Sequence, residues 1–198
     1  MTGHQKLQMQ VLERASERLA DYFSFYGGMG YNGYLNWHQL IRIKELVDNK
    51  RILVADDTGT GKTLVAVGSK LTLDKKYGRR CPTLVIAPNT ARETTWSSTA
   101  TNDYASHLGY CPQNVLHVDA PEDLDASPSA DFVVLNYEKF SISREPERNP
   151  YVQQLRETPF PFLVLDEFHN VKNSLAHRTR NLRAILDNDS RNEYMLLL

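Results

Sequence analysis

Arg51-Ile52-Leu53-Val54-Ala55-Asp56-Asp57-Thr58-Gly59-Thr60-Gly61-Lys62-Thr63 carries the strongest structural signal in the sequence. The stretch opens with an apolar, β-branched run, continues through a glycine-rich turn, and leads into a helical pattern. Strand, glycine-rich loop and helix, in this order, are typical of a phosphate-binding loop. Gly59 and Gly61 allow backbone conformations in which N–H groups point at an anion, and the following helix presents its positive dipole end.

Two side chains of this loop suit a nucleotide phosphate. Lys62 can reach the β- and γ-phosphates, and the Thr63 hydroxyl can ligate Mg²⁺. Asp56 departs from the G-x-x-x-x-G-K-[ST] pattern, because it stands at the first glycine position. A Gly-Lys-Thr tripeptide also occurs in ordinary turns, so the assignment depends on the strand before it and the helix after it. We predict an ATP-binding loop made of Asp57, Thr58, Gly59, Thr60, Gly61, Lys62 and Thr63.

Length and composition limit the class of protein. The chain has 198 residues, of which 41% are hydrophobic and 24% charged, as expected for a soluble domain with one core. A net charge of −1 gives no overall signal for nucleic acid, although a basic groove can be local. The polar start and the lack of a long apolar run predict an intracellular protein with no membrane partner. Cys81 and Cys111 are too few for a disulfide framework or a zinc site, and we expect both to be reduced and buried.

Apolar runs alternate with helical patterns along the chain. Strands are predicted over residues 52–55, 83–87, 115–118, 132–135, 162–165 and 194–198. Helices are predicted over 5–26, over 64–77 with Gly78 at the end, and over 175–186. Another helix is predicted to follow an N-cap at Asn36. A further helix is predicted from about Ala91, with Asn89 as its cap and Trp96 within it. Residues 121–129 are predicted to be a loop. This pattern predicts an α/β fold with a mostly parallel sheet and helices on both faces.

Asp166 and Glu167 follow an apolar strand directly. Ligands of parallel sheets bind beyond the carboxyl ends of the strands, so this pair and the phosphate loop should meet at one edge. The first carboxylate could then hold Mg²⁺ and the second could orient or deprotonate a water molecule. Two solvated acids in a turn are the alternative when such a pair stands alone.

Several blocks resemble the first RecA-like lobe of superfamily-two helicase-type motors, most closely the Swi/Snf-type DNA translocases. Residues 35–39 are similar to the family's Leu-Arg-Pro-Tyr-Gln, and 55–63 to its Ala-Asp-Glu-Met-Gly-Leu-Gly-Lys-Thr, which has Asp at the position of Asp56. Residues 84–88 with Trp96 resemble motif Ia, and 133–138 resemble a strand that ends in Thr-Tyr-Glu. Residues 166–173 resemble Asp-Glu-Ala-His followed by Arg-Ile-Lys-Asn, with Phe168 in place of Ala.

The resemblance implies a role for each matching residue. Thr63 and Asp166 would hold Mg²⁺, Glu167 would activate water, and Gln39 would recognise adenine. His169 would couple the site to motif III and a second lobe. Taken alone, Gln39 is more often an exposed helix residue, and His169 could equally be an ordinary capping or buried histidine. Double-stranded DNA would be contacted, without sequence preference, from Pro88 to Thr95 and from Asn136-Tyr137.

The resemblance also implies how the chain is organised. Residues 34–198 would form the RecA-like lobe, and residues 1–33 an N-terminal helix with a glycine-rich linker. In the family the last strand continues into Thr-Gly-Thr-Pro and a second RecA-like lobe, which carries arginine fingers, so we expect little ATP hydrolysis from this lobe alone. The alternatives are the motor lobe of a restriction-type enzyme or an RNA helicase, and a module that binds nucleotide or DNA without hydrolysis.

Overall fold

Six short strands form the centre of the protein. The computed structural model of the chain describes residues 35–57, 59–171, 173, 175–186 and 192–198, together with Asp21 and Phe25. Within these ranges the strands are Arg51–Leu53 (β1), Thr83–Ala87 (β2), Val115–His117 (β3), Phe132–Asn136 (β4), Phe162–Leu165 (β5) and Tyr194–Leu197 (β6). They form one sheet in the order β1-β6-β5-β2-β4-β3, and each neighbouring pair is parallel. The predicted α/β fold with a mostly parallel sheet is confirmed.

In the part of the chain from residue 35 onward that the structure describes, six α-helices connect or flank the strands. They are Trp37–Asn49 (α1), Lys62–Tyr77 (α2), Asn89–Glu93 (α3), Ser98–His107 (α4), Pro150–Glu157 (α5) and His177–Leu186 (α6). Short 3₁₀ segments occupy Pro121–Ser129, Tyr137–Ser141, Pro146–Arg148 and Phe168–Val171. No helix in the described part of the chain combines the length and apolar character of a membrane span.

The strands bury side chains on both faces because successive residues point to opposite sides of a sheet. On one face, Val85 and Val164 belong to a core that includes residues of α1, α2 and α4. On the other face, Ile86 and Leu163 belong to a core with residues of α5 and α6. The sheet is therefore covered on both sides, which leaves its strand ends as the place for a site.

Two predicted helix ends are confirmed by local geometry. Asn36 is the N-cap of α1, and its backbone N–H donates to the Gln39 side-chain oxygen at 3.0 Å. Gly78 ends α2 in the left-handed conformation, with a φ of 61°. Asp21 and Phe25 are helical. The rest of the predicted helix at 5–26, and the predicted glycine-rich linker up to residue 33, lie outside the described residues.

Three local predictions were wrong. The helix expected from about Ala91 starts at Asn89 after an N-cap at Pro88 and ends before Trp96, and Ser97 caps the separate helix α4. The segment 121–129 forms a 3₁₀ helix rather than a loop. Cys81 is buried as expected, but Cys111 is exposed because it lies in the connection between α4 and β3.

Helix α5 was missing from the predicted elements. The Asn149 side chain accepts hydrogen bonds from the backbone of Tyr151 and Val152, and Pro150 occupies the first helical position. An Asn N-cap followed by Pro is a local helix-start signal, so this helix could have been predicted.

Candidate active site

The phosphate loop joins β1 to α2 at the carboxyl edge of the sheet. Gly59 and Gly61 have φ values of 82° and 81°, a region that L-residues with a side chain rarely adopt. Gly61 is the residue before helix α2, so the helix N-terminus opens directly from the loop. The loop thus has two glycines with positive φ at the positions where the sequence predicts anion binding, and Thr58 lies outside the described residues.

Gln39 supports this loop from α1. Its amide Nε2 donates to the Thr60 carbonyl oxygen at 3.0 Å, and its Oε1 accepts from the Asn36 backbone N–H. The His38 ring nitrogen Nε2 also lies 3.1 Å from the Thr60 carbonyl oxygen. A Cβ atom at Gly61 would come within 2.4 Å of the Gln39 Nε2. The 4% exposure of Gln39 follows from this packing against the loop.

The Lys62 ammonium group is held by its own loop. Its Nζ donates to the carbonyl oxygens of Asp56 and Asp57 at 2.9 and 3.2 Å. The Thr60 hydroxyl also donates to the Asp57 carbonyl oxygen, at 2.9 Å. These partners are neutral carbonyl oxygens, so a phosphate would be the stronger partner for Lys62.

Asp166 lies at the end of β5 with its carboxylate almost fully buried. Its backbone N–H donates to the Ile86 carbonyl oxygen of β2 at 2.8 Å, which keeps the residue within the sheet. The Trp96 indole Nε1 donates to Asp166 Oδ2 at 2.8 Å, and the Tyr137 hydroxyl donates to the Asp166 carbonyl oxygen at 2.7 Å. Burial raises the pKa of the Asp166 carboxyl above its ordinary value, and it also raises the pKa of Tyr137.

Glu167 turns the chain out of the sheet. It is one of two described residues other than glycine with a positive φ, at 52°. Its carboxylate Oε2 lies 3.1 Å from the His169 Nδ1, and its carbonyl oxygen accepts from the Asn170 backbone and side chain. The next residue, Phe168, donates its backbone N–H to the Leu198 carbonyl oxygen at 2.8 Å.

The phosphate loop and the carboxylate pair share a cavity of about 350 Å³. Six predicted site residues line it: Gly59, Gly61, Lys62, Thr63, Asp166 and Glu167. A neighbouring cavity of about 580 Å³ contacts Asp57, Lys62, Glu167 and His169. Thr60 lines a third pocket, of about 400 Å³, beside His38, Asp56 and Asp57. The geometry brings a glycine-containing loop at a helix N-terminus, one ammonium group and two carboxylates together around one cavity.

The family described as "Type III restriction enzyme, res subunit" matches residues 4–198. The chain belongs to this family. Together with its fold, the match identifies the chain as a first RecA-like lobe of a superfamily-two helicase-type ATPase, as the sequence predicts. A search for similar sequences among curated proteins finds no match.

Two solved structures share the fold of this ResIII-family chain. The "Sulfolobus solfataricus SWI2/SNF2 ATPase core in complex with dsDNA" is 18% identical, with a TM-score of 0.64. The match covers 85% of this chain and 32% of that one. The "hypothetical ATP-dependent RNA helicase from Sulfolobus tokodaii" is also 18% identical, with a TM-score of 0.56, and the match covers 89% of this chain and 49% of that one. The chain thus spans about a third and about half of these two structures.

The structure of this ResIII-family lobe adds residues that the sequence did not indicate. Ala91, Thr95 and Tyr104 also line the cavity with Lys62. Ala91 and Thr95 belong to the segment 88–95, which was predicted to contact DNA. Trp96, recognised only as part of motif Ia, binds the Asp166 carboxylate directly. A buried indole N–H usually finds a partner, but nothing in the sequence indicates which one.

Proposed function

We propose that the chain is the ATP- and Mg²⁺-binding lobe of a motor that moves on double-stranded DNA. One observation carries the proposal: Lys62 and Thr63 line the same cavity as Asp166 and Glu167. In P-loop ATPases catalysis depends mainly on positioning and on stabilising the negative charge that spreads over the γ-phosphoryl oxygens. Membership in a helicase-type ATPase family supports nucleotide binding at this cavity.

Lys62 and the helix start at α2 would bind the phosphates. The Lys62 Nζ would exchange the carbonyl oxygens of Asp56 and Asp57 for phosphate oxygens, which accept stronger, charge-assisted hydrogen bonds. The backbone N–H groups at Gly59 and Gly61 would surround the same phosphates. This exchange uses groups that already lie on the cavity wall.

Thr63 and Asp166 would hold Mg²⁺. Their hydroxyl and carboxylate oxygens are the ligand type that Mg²⁺ prefers, together with phosphate oxygens and water, so the residues present fit the ion. The indole of Trp96 donates to Asp166 Oδ2, and a carboxylate has further lone pairs that can bind a metal. Bound Mg²⁺ would neutralise charge on the β- and γ-phosphates.

Glu167 would orient and deprotonate the attacking water. Its side chain lines both the cavity of Lys62 and the neighbouring one that contains His169. The 3.1 Å contact between the Glu167 carboxylate and the His169 ring supports a role for His169 in linking the water-activating group to a second lobe. We include both roles in the proposal.

Gln39 would recognise adenine while holding the phosphate loop. Its amide already bonds the Thr60 carbonyl oxygen and the Asn36 N–H. A carboxamide has two N–H donors and two lone pairs, so one donor and one acceptor site remain for the N6 and N7 atoms of the base. Asp57, Thr58 and Thr60 complete the proposed nucleotide contacts of the loop.

The second RecA-like lobe and the DNA are the proposed partners. The chain covers only 32% and 49% of the two similar structures, in agreement with a motor made of two such lobes. Segments 88–95 and 136–137 are the proposed DNA contacts; in the second segment Asn136 would make the contact, because Tyr137 is 0% exposed. The likeness to a Swi2/Snf2 core in complex with dsDNA supports both segments at the level of the fold. Contacts from backbone and hydroxyl groups suit a chain with a net charge of −1.

A restriction-type motor is the second candidate. It is favoured by the match of residues 4–198 to the family of type III restriction res subunits. Both candidates use the same ATP site and double-stranded DNA, whereas an RNA helicase would be stimulated by RNA. Weak, sequence-independent binding of duplex DNA that decreases with salt supports either DNA motor; preference for RNA would contradict both.

Nucleotide binding is tested by thermal unfolding of the chain with and without Mg·ATP. At ten times Kd, binding should stabilise the fold by about 1.4 kcal/mol, which raises the Tm by roughly 3–5 °C for a domain of this size. Lys62→Ala should abolish the increase. Lys75→Ala, at the other end of the same helix, is the matched control and should retain it. An unchanged shift in Lys62→Ala would place the nucleotide elsewhere.

A further inference from the structure

Two buried aromatic side chains reach Asp166 from the segments that we propose as DNA contacts. The Trp96 indole follows segment 88–95 and donates to the Asp166 carboxylate at 2.8 Å. The Tyr137 hydroxyl, from segment 136–137, donates to the Asp166 carbonyl oxygen at 2.7 Å. Both rings are 0% exposed, so neither hydrogen bond competes with bulk water. One residue of the proposed metal site is therefore bonded to segment 136–137 and to the residue that directly follows segment 88–95.

Trp96 is fixed to its segment on several sides. Its backbone N–H donates to the Ala91 carbonyl oxygen of α3 at 2.9 Å, and its own carbonyl oxygen bonds the His117 ring at 3.0 Å. The indole packs at a tilt against the Phe132 ring, with 6.2 Å between centroids. Trp96 therefore connects α3 to the Asp166 carboxylate, through its backbone N–H at one end and its indole N–H at the other.

The two segments are also joined near the protein surface. The Asn136 amide donates to the Asn89 side-chain oxygen at 3.1 Å, directly before Tyr137 and at the start of α3. A phosphate backbone that contacts this pair would act on both segments together. Asp166 is then the point at which their inner ends meet.

We propose that Trp96 and Tyr137 are positioning residues that couple nucleic-acid binding at segments 88–95 and 136–137 to the orientation of the Asp166 carboxylate. The inference rests on the proposed function, since it requires nucleotide in the cavity and DNA on the two segments. Partners that orient a metal ligand typically change metal affinity by about 10–100-fold when they are removed. Loss of either hydrogen bond should therefore weaken the contribution of Mg²⁺ to nucleotide binding and its response to DNA.

The first experiment measures ADP binding to the chain by calorimetry, with Mg²⁺ and with EDTA. Trp96→Phe should reduce the gain in affinity due to Mg²⁺ by about 10-fold or more, while binding in EDTA stays unchanged. Trp37→Phe is the matched control for the substitution, and Tyr194→Phe controls for the loss of a buried tyrosine hydroxyl at the opposite edge of the sheet. A general loss of stability would weaken binding in EDTA as well, which separates positioning from folding.

The second experiment adds a short duplex DNA to the same titrations. In the parent chain, DNA should change the Kd of Mg·ADP by about fivefold or more, and nucleotide should change the DNA affinity by the same factor. In Trp96→Phe and Tyr137→Phe the factor by which DNA changes the Kd of Mg·ADP should fall toward one. Trp37→Phe and Tyr194→Phe should keep the factor of the parent chain. The coupling would be overturned if DNA changed the Kd of Mg·ADP in both variants as much as in the parent, or if it did not change the Kd in the parent.

Two further measurements keep the test decisive if Trp96→Phe does not fold. Replacement of Trp96 by benzothienylalanine keeps the ring shape and removes only the N–H donor. In Trp37→Phe, Trp96 is the only tryptophan in the sequence, so its emission reports on Asp166 directly. Addition of Mg²⁺ to the ADP-bound protein should change this emission, and Asp166→Asn should abolish the change; unchanged emission would argue against the contact.

The two proposals fail differently. If the parent does not bind ADP, or if Lys62→Ala binds it equally well, the nucleotide site itself is wrong. If Lys62→Ala loses binding but Trp96→Phe and the benzothienylalanine variant keep the full effect of Mg²⁺ and DNA, only the positioning role is wrong.

Discussion

Charged side chains at the two edges of the sheet have different kinds of hydrogen-bond partner. At the amino edge, the Lys70 ammonium is 1% exposed and bonds the carboxylates of Asp74 and Asp131 at 2.5 and 3.2 Å, with Gln113 as a third partner. At the carboxyl edge, Lys62 rests on neutral carbonyl oxygens, and the buried Asp166 carboxylate accepts from an indole. The Lys70 charge at the amino edge is paired with carboxylates, whereas Lys62 and Asp166 at the carboxyl edge have neutral partners.

This difference separates a stabilising network from a binding site. An ammonium paired with carboxylates has little to gain from a ligand, and its removal leaves buried acids without a partner. An ammonium on carbonyl oxygens can exchange them for phosphate with a gain in hydrogen-bond strength. We therefore expect substitutions at the amino edge to change stability and substitutions at the carboxyl edge to change binding and catalysis.

The largest expected effect concerns hydrolysis at the carboxyl edge. Among the described residues that line the phosphate cavity, Lys62 is the one cationic side chain. An arginine finger contributes about 10³–10⁵ in rate, or roughly 4–7 kcal/mol of the barrier. The chain alone should thus hydrolyse ATP far below one turnover per second, measured as phosphate release at saturating ATP with and without duplex DNA.

Glu167→Gln is the control for this measurement because it keeps the shape of the side chain and removes the base. Arg178 and Arg180 of α6 do not act as arginine fingers at the cavity. The Arg178 side chain contacts Ser141, and the Arg180 side chain contacts His177. Turnover near one per second that disappears in Glu167→Gln would show a complete active site within this lobe.

The next effect is on stability at the amino edge. Lys70→Met leaves Asp74 and Asp131 without their shared cation, although Arg80 still contacts Asp131. Breaking a buried ion pair costs about 3–5 kcal/mol of stability. Because Arg80 still contacts Asp131, we expect a loss of about 3 kcal/mol in Lys70→Met. The Tm should fall by roughly 6–12 °C in a thermal melt.

The comparison requires two controls. Lys75→Met, in the same helix but exposed, should change the Tm by much less than Lys70→Met. The Tm increase with Mg·ATP should persist in Lys70→Met at a temperature where it is folded. Loss of nucleotide binding with an unchanged Tm would contradict the separation of the two edges.

The smallest effect sharpens the description of the phosphate loop. Alanine at Gly59 or Gly61 must adopt a positive φ, which costs about 1–2 kcal/mol. Of the two glycines, Gly61 is the one whose new Cβ would meet a described neighbour, the Gln39 amide. Gly61→Ala must therefore also displace the bond from Gln39 to the Thr60 carbonyl oxygen. Chemical denaturation should therefore give a larger loss for Gly61→Ala than for Gly59→Ala.

A double substitution tests the cause of that difference. In a Gln39→Ala background the amide is absent, and the two glycine substitutions should then have equal costs. A difference that persists without the Gln39 side chain would show that the loop backbone, and not the contact, distinguishes the two positions.

Local patterns made the core of the site predictable, and distance in sequence limited the rest. Lys62 and Asp166 each follow a strand, and parallel strands bring their carboxyl ends together, so their meeting follows from the fold. The bond from Trp96 to Asp166 joins residues 70 positions apart and depends on where α3 ends, which no local pattern encodes. The contact of Gln39 with the loop is hidden in the same way, because the sequence shows only a helix residue.

Strand β6 separates the two strands that lead into the candidate active site. It lies between β1 and β5, and its last residues accept hydrogen bonds from the first residues of both loops: the Leu197 carbonyl oxygen from Val54, and that of Leu198 from Phe168. The strands that lead into the phosphate loop and the carboxylate pair, β1 and β5, are therefore two strand spacings apart, about 9.6 Å, whichever side chains β6 carries. Backbone hydrogen bonds fix this spacing and do not depend on side chains. The spacing can therefore be kept while the sequence of β6 diverges.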